Sequence, residues 1–264
     1  MTGKGPGAAL DIPAAWRRAA ERIAARGWRK VLVVGAADRG KSTFCQFLAR
    51  HLAEEGGTVA FVDADIGQKD VGPPATVSLA RPGPRGVLTA ARPDALYFVG
   101  AVSPMAHFVT LVIGTRRLVD AASGDFVLID TTGLVQGRGA TLKALKIEAL
   151  RPDAVVLLER GEELAPIARA HRHLNLLPIP PSPAARRKGD RARRHAREAA
   201  FRAYFAGGVK RVLGLDRLVM QRSLLFTGER VEDERFIHAE RLGDELLGVA
   251  PGQSFGHEAG LRVI

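Results

Sequence analysis

One cysteine, Cys45, is all that 264 residues contain. This excludes an internal disulfide and any cysteine-rich zinc site, and a lone thiol here reads as a packing residue. Aromatic residues are scarce at 6%, so aliphatic side chains must build most of the core. No apolar run reaches the roughly 18 residues that cross a bilayer. Met1 to Leu10 is glycine-rich and lacks the apolar stretch of a secretory signal. A cytoplasmic protein with no membrane attachment is the expectation. The single asparagine, Asn175, lies in His173-Leu174-Asn175-Leu176-Leu177. The Asn-Lys-x-Asp signature of a guanine-specific GTPase is therefore missing, which disfavours a conventional GTPase switch. Acidic charge is short too: 28 Asp and Glu face 39 Lys and Arg, for a net +11. A basic surface attracts polyanions, although an arginine-rich composition alone suggests nucleic acid without establishing it.

Alternating helical and apolar segments are what the chain does have. Asp11 to Arg26 reads as an amphipathic helix stopped by Gly27. Lys30 to Val34 is a short continuous apolar run, as expected of a strand buried on both faces of a parallel sheet. A helix over Ser42 to Glu55 and a second buried strand over Thr58 to Val62 follow. Further strands are expected at Ala95 to Val99, Phe126 to Ile129, Ala154 to Leu158 and Leu174 to Ile179, with helices at His107 to Ala122 and Thr141 to Leu150. The alternation predicts an α/β fold with a mostly parallel central sheet flanked by helices. Pro178-Ile179-Pro180-Pro181-Ser182-Pro183 breaks regular structure and opens into a basic segment that runs on as a helix to about Phe205. Ser223 to Phe226 is strand-like. Three regions are expected: an N-terminal helical extension (1–27), a nucleotide-binding domain (28–207) and a small C-terminal appendage (208–264).

Gly35-Ala36-Ala37-Asp38-Arg39-Gly40-Lys41-Ser42-Thr43 matches the phosphate-binding pattern G-x-x-x-x-G-K-[ST], with a buried strand before it and a helix after it. Glycines let backbone N–H groups turn inward around phosphates, and the helix N-terminus adds its positive dipole end. Lys41 would reach the β- and γ-phosphates of ATP or GTP, and the Ser42 hydroxyl would ligate Mg²⁺. Asp130 closes Phe126-Val127-Leu128-Ile129 in the manner of a carboxylate that holds the metal. Asp63 and Asp65 end the strand after the phosphate-loop helix. Parallel strands bring their C-terminal ends to one rim of the sheet, so all three carboxylates are candidates to approach the γ-phosphate.

Together, Gly35-x-x-Asp38-x-Gly40-Lys41-Ser42-Thr43, Asp63-x-Asp65-x-Gly67-Gln68 and Asp130-Thr131-Thr132-Gly133 resemble the polynucleotide 5′-hydroxyl kinase family. That family includes RNA 5′-kinases of pre-mRNA cleavage and rRNA processing, with archaeal relatives. The resemblance extends through Asp70 to Leu79, Phe98 to Pro104 and Leu142-Lys143-x-x-Lys146-Ile147-Glu148, and covers roughly residues 28 to 207. It implies that Lys41 neutralises the transferring phosphate and that Asp65 positions or deprotonates the 5′-hydroxyl of RNA or DNA. Asp63 would support the metal shell, Gln68 would contact the substrate end, and Thr131, Thr132 and Gly133 would begin a clasp for the terminal nucleotide. Eukaryotic mRNA-processing members place a stacking tryptophan after that glycine, where this chain has Leu134. His107, Tyr97 and Phe108 are candidates to replace it.

The segment Arg186, Arg187, Lys188, Arg191, Arg193, Arg194 and Arg197 occupies the position of the family's lid, about residues 184–206. On one continuous helix Arg187, Arg191 and Arg194 would share a face, and Phe201, Tyr204 and Phe205 would dock an apolar end on the core. Counting back from Tyr204-Phe205, the lid cations match Lys188 or Arg187, and Arg193. Two other readings stand beside a 5′-hydroxyl kinase. One is a nucleotide-dependent RNA-processing scaffold, and the other a related P-loop GTPase or small-molecule kinase.

Overall fold

A computed structural model of the chain describes residues 12–88, 91–209 and 224–249, and the backbone of 261–263. Contacts divide it into two compact units that separate between Ala206 and Gly207. The first unit opens on α1 (Ala14–Arg26), β1 (Lys30–Gly35), α2 (Lys41–Glu54), β2 (Val59–Ala64), β3 (Thr76–Ala80) and β4 (Ala95–Phe98). It continues with α3 (Phe108–Ala121), β5 (Phe126–Thr131), α4 (Arg138–Leu150), β6 (Ala154–Leu158), α5 (Ala165–Ala170), β7 (Leu176–Ile179) and α6 (Asp190–Phe205).

The strands form one sheet in the order β4-β3-β2-β5-β1-β6-β7. From β2 to β7 every pairing is parallel, and β3 and β4 add an antiparallel edge. Successive side chains of a strand point to opposite faces, so β1 feeds two cores. Leu32 and Val34 pack with Leu111, Leu118, Leu142 and Ile147 on the face covered by α3 and α4. Val31 and Val33 pack with Trp16, Ile23, Phe44 and Leu48 on the face covered by α1 and α2. Burial on both faces is why β1, β2, β5 and β6 read as unbroken apolar runs.

The strand β3 has no such signature. It is wholly buried yet carries Thr76 and Ser78 and is flanked by prolines, and apolar periodicity does not find it. Nor does the basic segment form one helix. Gly189, extended at φ −69° and ψ 160°, precedes α6, with Asp190 in the first turn where the helix dipole favours an acid. Arg186, Arg187 and Lys188 therefore lie ahead of the helix, and the shared face with Arg191 and Arg194 does not exist. No residue of α6 is buried. Tyr204 and Phe205 pack edge-on against each other at 5.0 Å, with 51% and 64% of their surfaces exposed, and do not dock on the core.

Trp16 ties three parts of the first unit together. Its indole N–H donates to the Pro180 carbonyl at 2.8 Å, just before the basic segment. Its ring meets Phe44 edge-on at 5.2 Å and lies beneath Gly40, where an added Cβ would sit 3.7 Å from it. Trp16→Ala should cost about 3–5 kcal/mol, the range for emptying a buried aromatic site, and urea unfolding would measure it. Cys45 is fully buried, as a packing residue should be. Burial first, and then the nearby carboxylates Asp130, Asp70 and Asp63, push its thiol well up and leave it unreactive.

The second unit is a four-stranded antiparallel sheet in the order β11-β10-β9-β8, from β8 (Glu229–Val231), β9 (His238–Leu242), β10 (Glu245–Val249) and β11 (Leu261–Val263). Buried Glu240 organises the turn before β8 by accepting from the backbone N–H groups of Phe226, Thr227 and Gly228. Leu224 to Phe226 is coil and turn rather than strand, and Ser223 lies outside the described residues, as does Asp11 at the start of the expected first helix.

Candidate functional site

The C-terminal ends of β1, β2 and β5 meet at one rim, where two adjoining cavities of about 540 and 590 Å³ open. Ala36 to Arg39 line the first cavity, and Ala37, Asp38 and Gly40 to Thr43 the second. Gly35 sits beneath them, where an added Cβ would come within 2.7 Å of the Leu158 carbonyl. Gly40 holds φ at +87°, a left-handed conformation that favours glycine, and precedes α2, whose first N–H groups have no partner within the helix. Gly133 lies so close to the loop that a Cβ would stand 2.6 Å from the Ala37 nitrogen.

Lys41 is nearly buried, and its ammonium donates to the Ala36 carbonyl at 3.0 Å. The Ser42 hydroxyl donates to Asp130 at 2.7 Å. Burial lifts Asp130 to about 7, with Asp63 and Asp65 adding to the effect and Lys41 and the Ser42 hydroxyl opposing it. Asp65 and Gln68 line the second cavity together with Lys41, Ser42, Thr132 and Gly133. One Asp65 oxygen accepts from the backbone N–H groups of Gly67 and Gln68, both at 3.0 Å, so the carboxylate is fixed by its own loop. The other oxygen accepts no hydrogen bond among the described residues.

Two expected site residues are turned elsewhere. Asp63 is 1% exposed, and its carboxylate is occupied by the loop that follows. It accepts from the backbone of Asp65, Asp70 and Val71 and pairs with Lys69 at 3.3 Å. It organises the loop that carries Asp65 instead of supporting a metal shell. Thr131 is fully buried and donates to the Val33 carbonyl at 2.8 Å, facing the sheet and not a substrate. Thr132, just beyond the strand end, does reach the cavity. So does Leu134, which lines both cavities. None of His107, Tyr97 and Phe108 lines either one. Tyr97 is 8% exposed in the core, and Phe108 lies under the Arg138 guanidinium at 5.5 Å.

The basic segment closes one side. Arg186, Lys188, Arg193 and Arg197 line the second cavity, and Arg187 and Arg193 the first. Asp38 is the tether. It accepts from Arg193 Nη2 at 2.5 Å and from the Lys188 backbone N–H at 3.0 Å, while Arg193 Nε donates to the Lys188 carbonyl at 3.1 Å. Across the first cavity Arg39 makes a two-pronged pair with Glu163 at 2.6 and 2.7 Å, which holds the phosphate loop to the segment after β6.

A set of buried lysines was not anticipated. Lys143 and Lys146 are both 0% exposed on the apolar face of α4, between Leu142 and Ile147. Lys143 donates to the Thr132 carbonyl and hydroxyl at 2.6 and 3.0 Å. Burial pushes both ammonium groups down, Lys146 to about 8, and Asp65 and Asp130 partly offset the effect. The sequence does hold a signal for them: two lysines inside the stripe Leu142, Ile147 and Leu150, where a helix normally places apolar residues.

Comparison with known proteins covers the same part of the chain. The family model for the mRNA cleavage and polyadenylation factor CLP1 P-loop matches residues 35–207. The polyribonucleotide 5′-hydroxyl-kinase of Pyrococcus furiosus is 36% identical over 254 residues, covering 90% of this chain and 72% of that protein. The polyribonucleotide 5′-hydroxyl-kinase Clp1 of Xenopus tropicalis is 30% identical over 208 residues, covering 72% of this chain and 47% of that one. Among solved structures, the wild-type Clp1p–Pcf11p complex superposes with a TM-score of 0.58 at 14% identity, over 75% of this chain and 54% of that one. This last likeness is one of fold. No helix among the described residues is long and apolar enough to cross a membrane.

Proposed function

The chain belongs to the CLP1 P-loop family, and on that basis we propose that it is a polynucleotide 5′-hydroxyl kinase, transferring the γ-phosphate of ATP or GTP to the 5′-OH end of RNA. The observation that carries this reading is a single cavity lined by a phosphate grip (Lys41, Ser42), a fixed carboxylate (Asp65) and a tethered basic segment (Arg193). The names of the archaeal relatives favour RNA over DNA as the acceptor. A scaffold without turnover is the weaker reading, since it has no use for a carboxylate held beside the phosphate loop.

Phosphoryl transfer asks a protein mainly for positioning and for charge opposite the transferring group. The backbone N–H groups of 36–43 and the start of α2 cradle the donor phosphates, and the Lys41 ammonium exchanges the Ala36 carbonyl for a phosphate oxygen. The open oxygen of Asp65 receives the proton of the attacking hydroxyl, while Gln68, Thr132 and Gly133 flank the acceptor end. The lid cations Arg193 and Arg187 close over the phosphates.

Ser42 and Asp130 offer hard oxygen donors side by side. Such a pair fits Mg²⁺, which takes one or two protein oxygens and otherwise binds water and phosphates. Bound there, the ion would neutralise charge on the β- and γ-phosphates.

Lys41→Ala should lower kcat by about 10²–10³-fold, the usual cost of removing one preorganised charge from a transition state, with unfolding in urea little changed. Transfer from γ-labelled ATP to a 5′-OH oligoribonucleotide measures it. A variant as active as wild type would remove the phosphate loop from the mechanism.

A further inference from the structure

Among the described residues four lysine side chains are buried around Asp63, Asp65 and Asp130. Three are committed. The Lys69 ammonium pairs with Asp63 and donates to its carbonyl at 2.7 Å. Lys143 is held by Thr132, and Lys41 by the Ala36 carbonyl. The Lys146 ammonium is fully buried and has no hydrogen-bond partner among the described residues.

Leucine or methionine at this position would pack α4 on the sheet at no electrostatic cost, whereas a buried and unbonded ammonium is expensive. A lysine retained for stability would have a carbonyl or hydroxyl to bond, as Lys143 has. The surroundings of Lys146 show what offsets the cost. Strands β2 and β5 are neighbours in register, with Asp63 opposite Asp130, so their ends crowd three carboxylates at one rim. Asp63 is compensated by Lys69. Neither Asp65 nor Asp130 forms an ion pair among the described residues; Lys41 partly offsets Asp130, and Asp65 and Asp130 are the strongest attractive neighbours of Lys146.

From this placement we infer that Lys146 is a positioning residue for phosphoryl transfer. Its buried ammonium is the counter-charge that lets Asp65 and Asp130 stand together at the strand ends, and so keeps Asp65 directed at the acceptor hydroxyl. The inference deepens the kinase reading and rests on it. Lys146 touches neither donor nor acceptor, so its removal should act on turnover and not on donor binding.

Two measurements test it. In Lys146→Met, kcat for transfer to a 5′-OH oligoribonucleotide should fall about 10–100-fold, as when a group that orients a reacting residue is lost, with the KM for ATP within about twofold of wild type. In urea unfolding of Lys146→Met, Asp65→Asn and the double variant, the two changes should be non-additive, the double variant being more stable than the singles predict. A kcat within about threefold of wild type, or additive unfolding effects, overturns the inference. Wild-type protein that labels no 5′-OH end refutes the kinase reading instead, and the unfolding cycle then decides the charge pairing alone.

Discussion

Arg193→Ala should lower kcat for phosphate transfer by about 10³-fold or more, since an arginine delivered to a transferring phosphoryl group raises rates by roughly 10³–10⁵. Arg193 is the cation of the basic segment that lines both cavities. Two of its three nitrogens are engaged, Nη2 by Asp38 and Nε by the Lys188 carbonyl. Nη1 has no partner among the described residues and is free to meet a phosphate oxygen. The side chain holds the basic segment to the phosphate loop, and in the proposed mechanism it would also present charge to the reacting phosphate. Asp38→Ala separates these two roles, because it removes the tether and leaves the guanidinium. It should weaken binding of ATP and make the 184–206 segment more open to protease, while kcat at saturating ATP falls far less than in Arg193→Ala. Equal losses of kcat in the two variants would mean that Arg193 acts only as a tether.

Asp65→Asn should lower kcat by about 10²–10⁴-fold, the range for loss of a positioned general base. Asparagine keeps the size of the side chain and one oxygen able to accept from Gly67 and Gln68, so the loop geometry should survive. What would be lost, in the proposed mechanism, is the oxygen that accepts the proton of the 5′-hydroxyl. Hydrolysis of ATP to solvent need not fall in parallel, because water can pass its proton elsewhere. The ratio of transfer to hydrolysis should therefore drop in this variant, and product analysis after incubation with γ-labelled ATP and 5′-OH RNA would show it. An unchanged ratio, with both reactions slowed alike, would assign Asp65 to the donor side.

Much of this site can be read from residue order, and the failures share a cause. The phosphate loop is legible because its spacing is tied to backbone chemistry. The strands β1, β2, β5 and β6 are legible because burial on both faces leaves an unbroken apolar run. Motif position also places Asp63, Asp65, Asp130, Thr131 and Thr132 at the right rim. It does not say which way each one faces. Thr131 ends β5 with its hydroxyl turned to the Val33 carbonyl, while Thr132, just past the strand, reaches the cavity. Beyond Ala64 strand β2 ends and the chain turns, so Asp63 and Asp65 no longer share a face despite their spacing of two. Asp63 is drawn into the loop by three backbone N–H groups and Lys69, contacts that depend on how residues 65–71 fold back. The break at Gly189 likewise takes Arg187 out of the helix, and a count of basic residues does not reveal it. The burial of Lys143 and Lys146 is legible only when lysine within the apolar stripe of a helix is noticed.

The central claim is that one cavity holds a nucleotide's γ-phosphate against a 5′-hydroxyl end. Its most direct test is transfer of label from γ-labelled ATP and GTP to matched oligoribonucleotides bearing either 5′-OH or 5′-phosphate. The account predicts label on the 5′-OH strand alone, released by phosphatase and lost in Asp65→Asn. Steady hydrolysis of the nucleotide with no label on any 5′-OH end would contradict it.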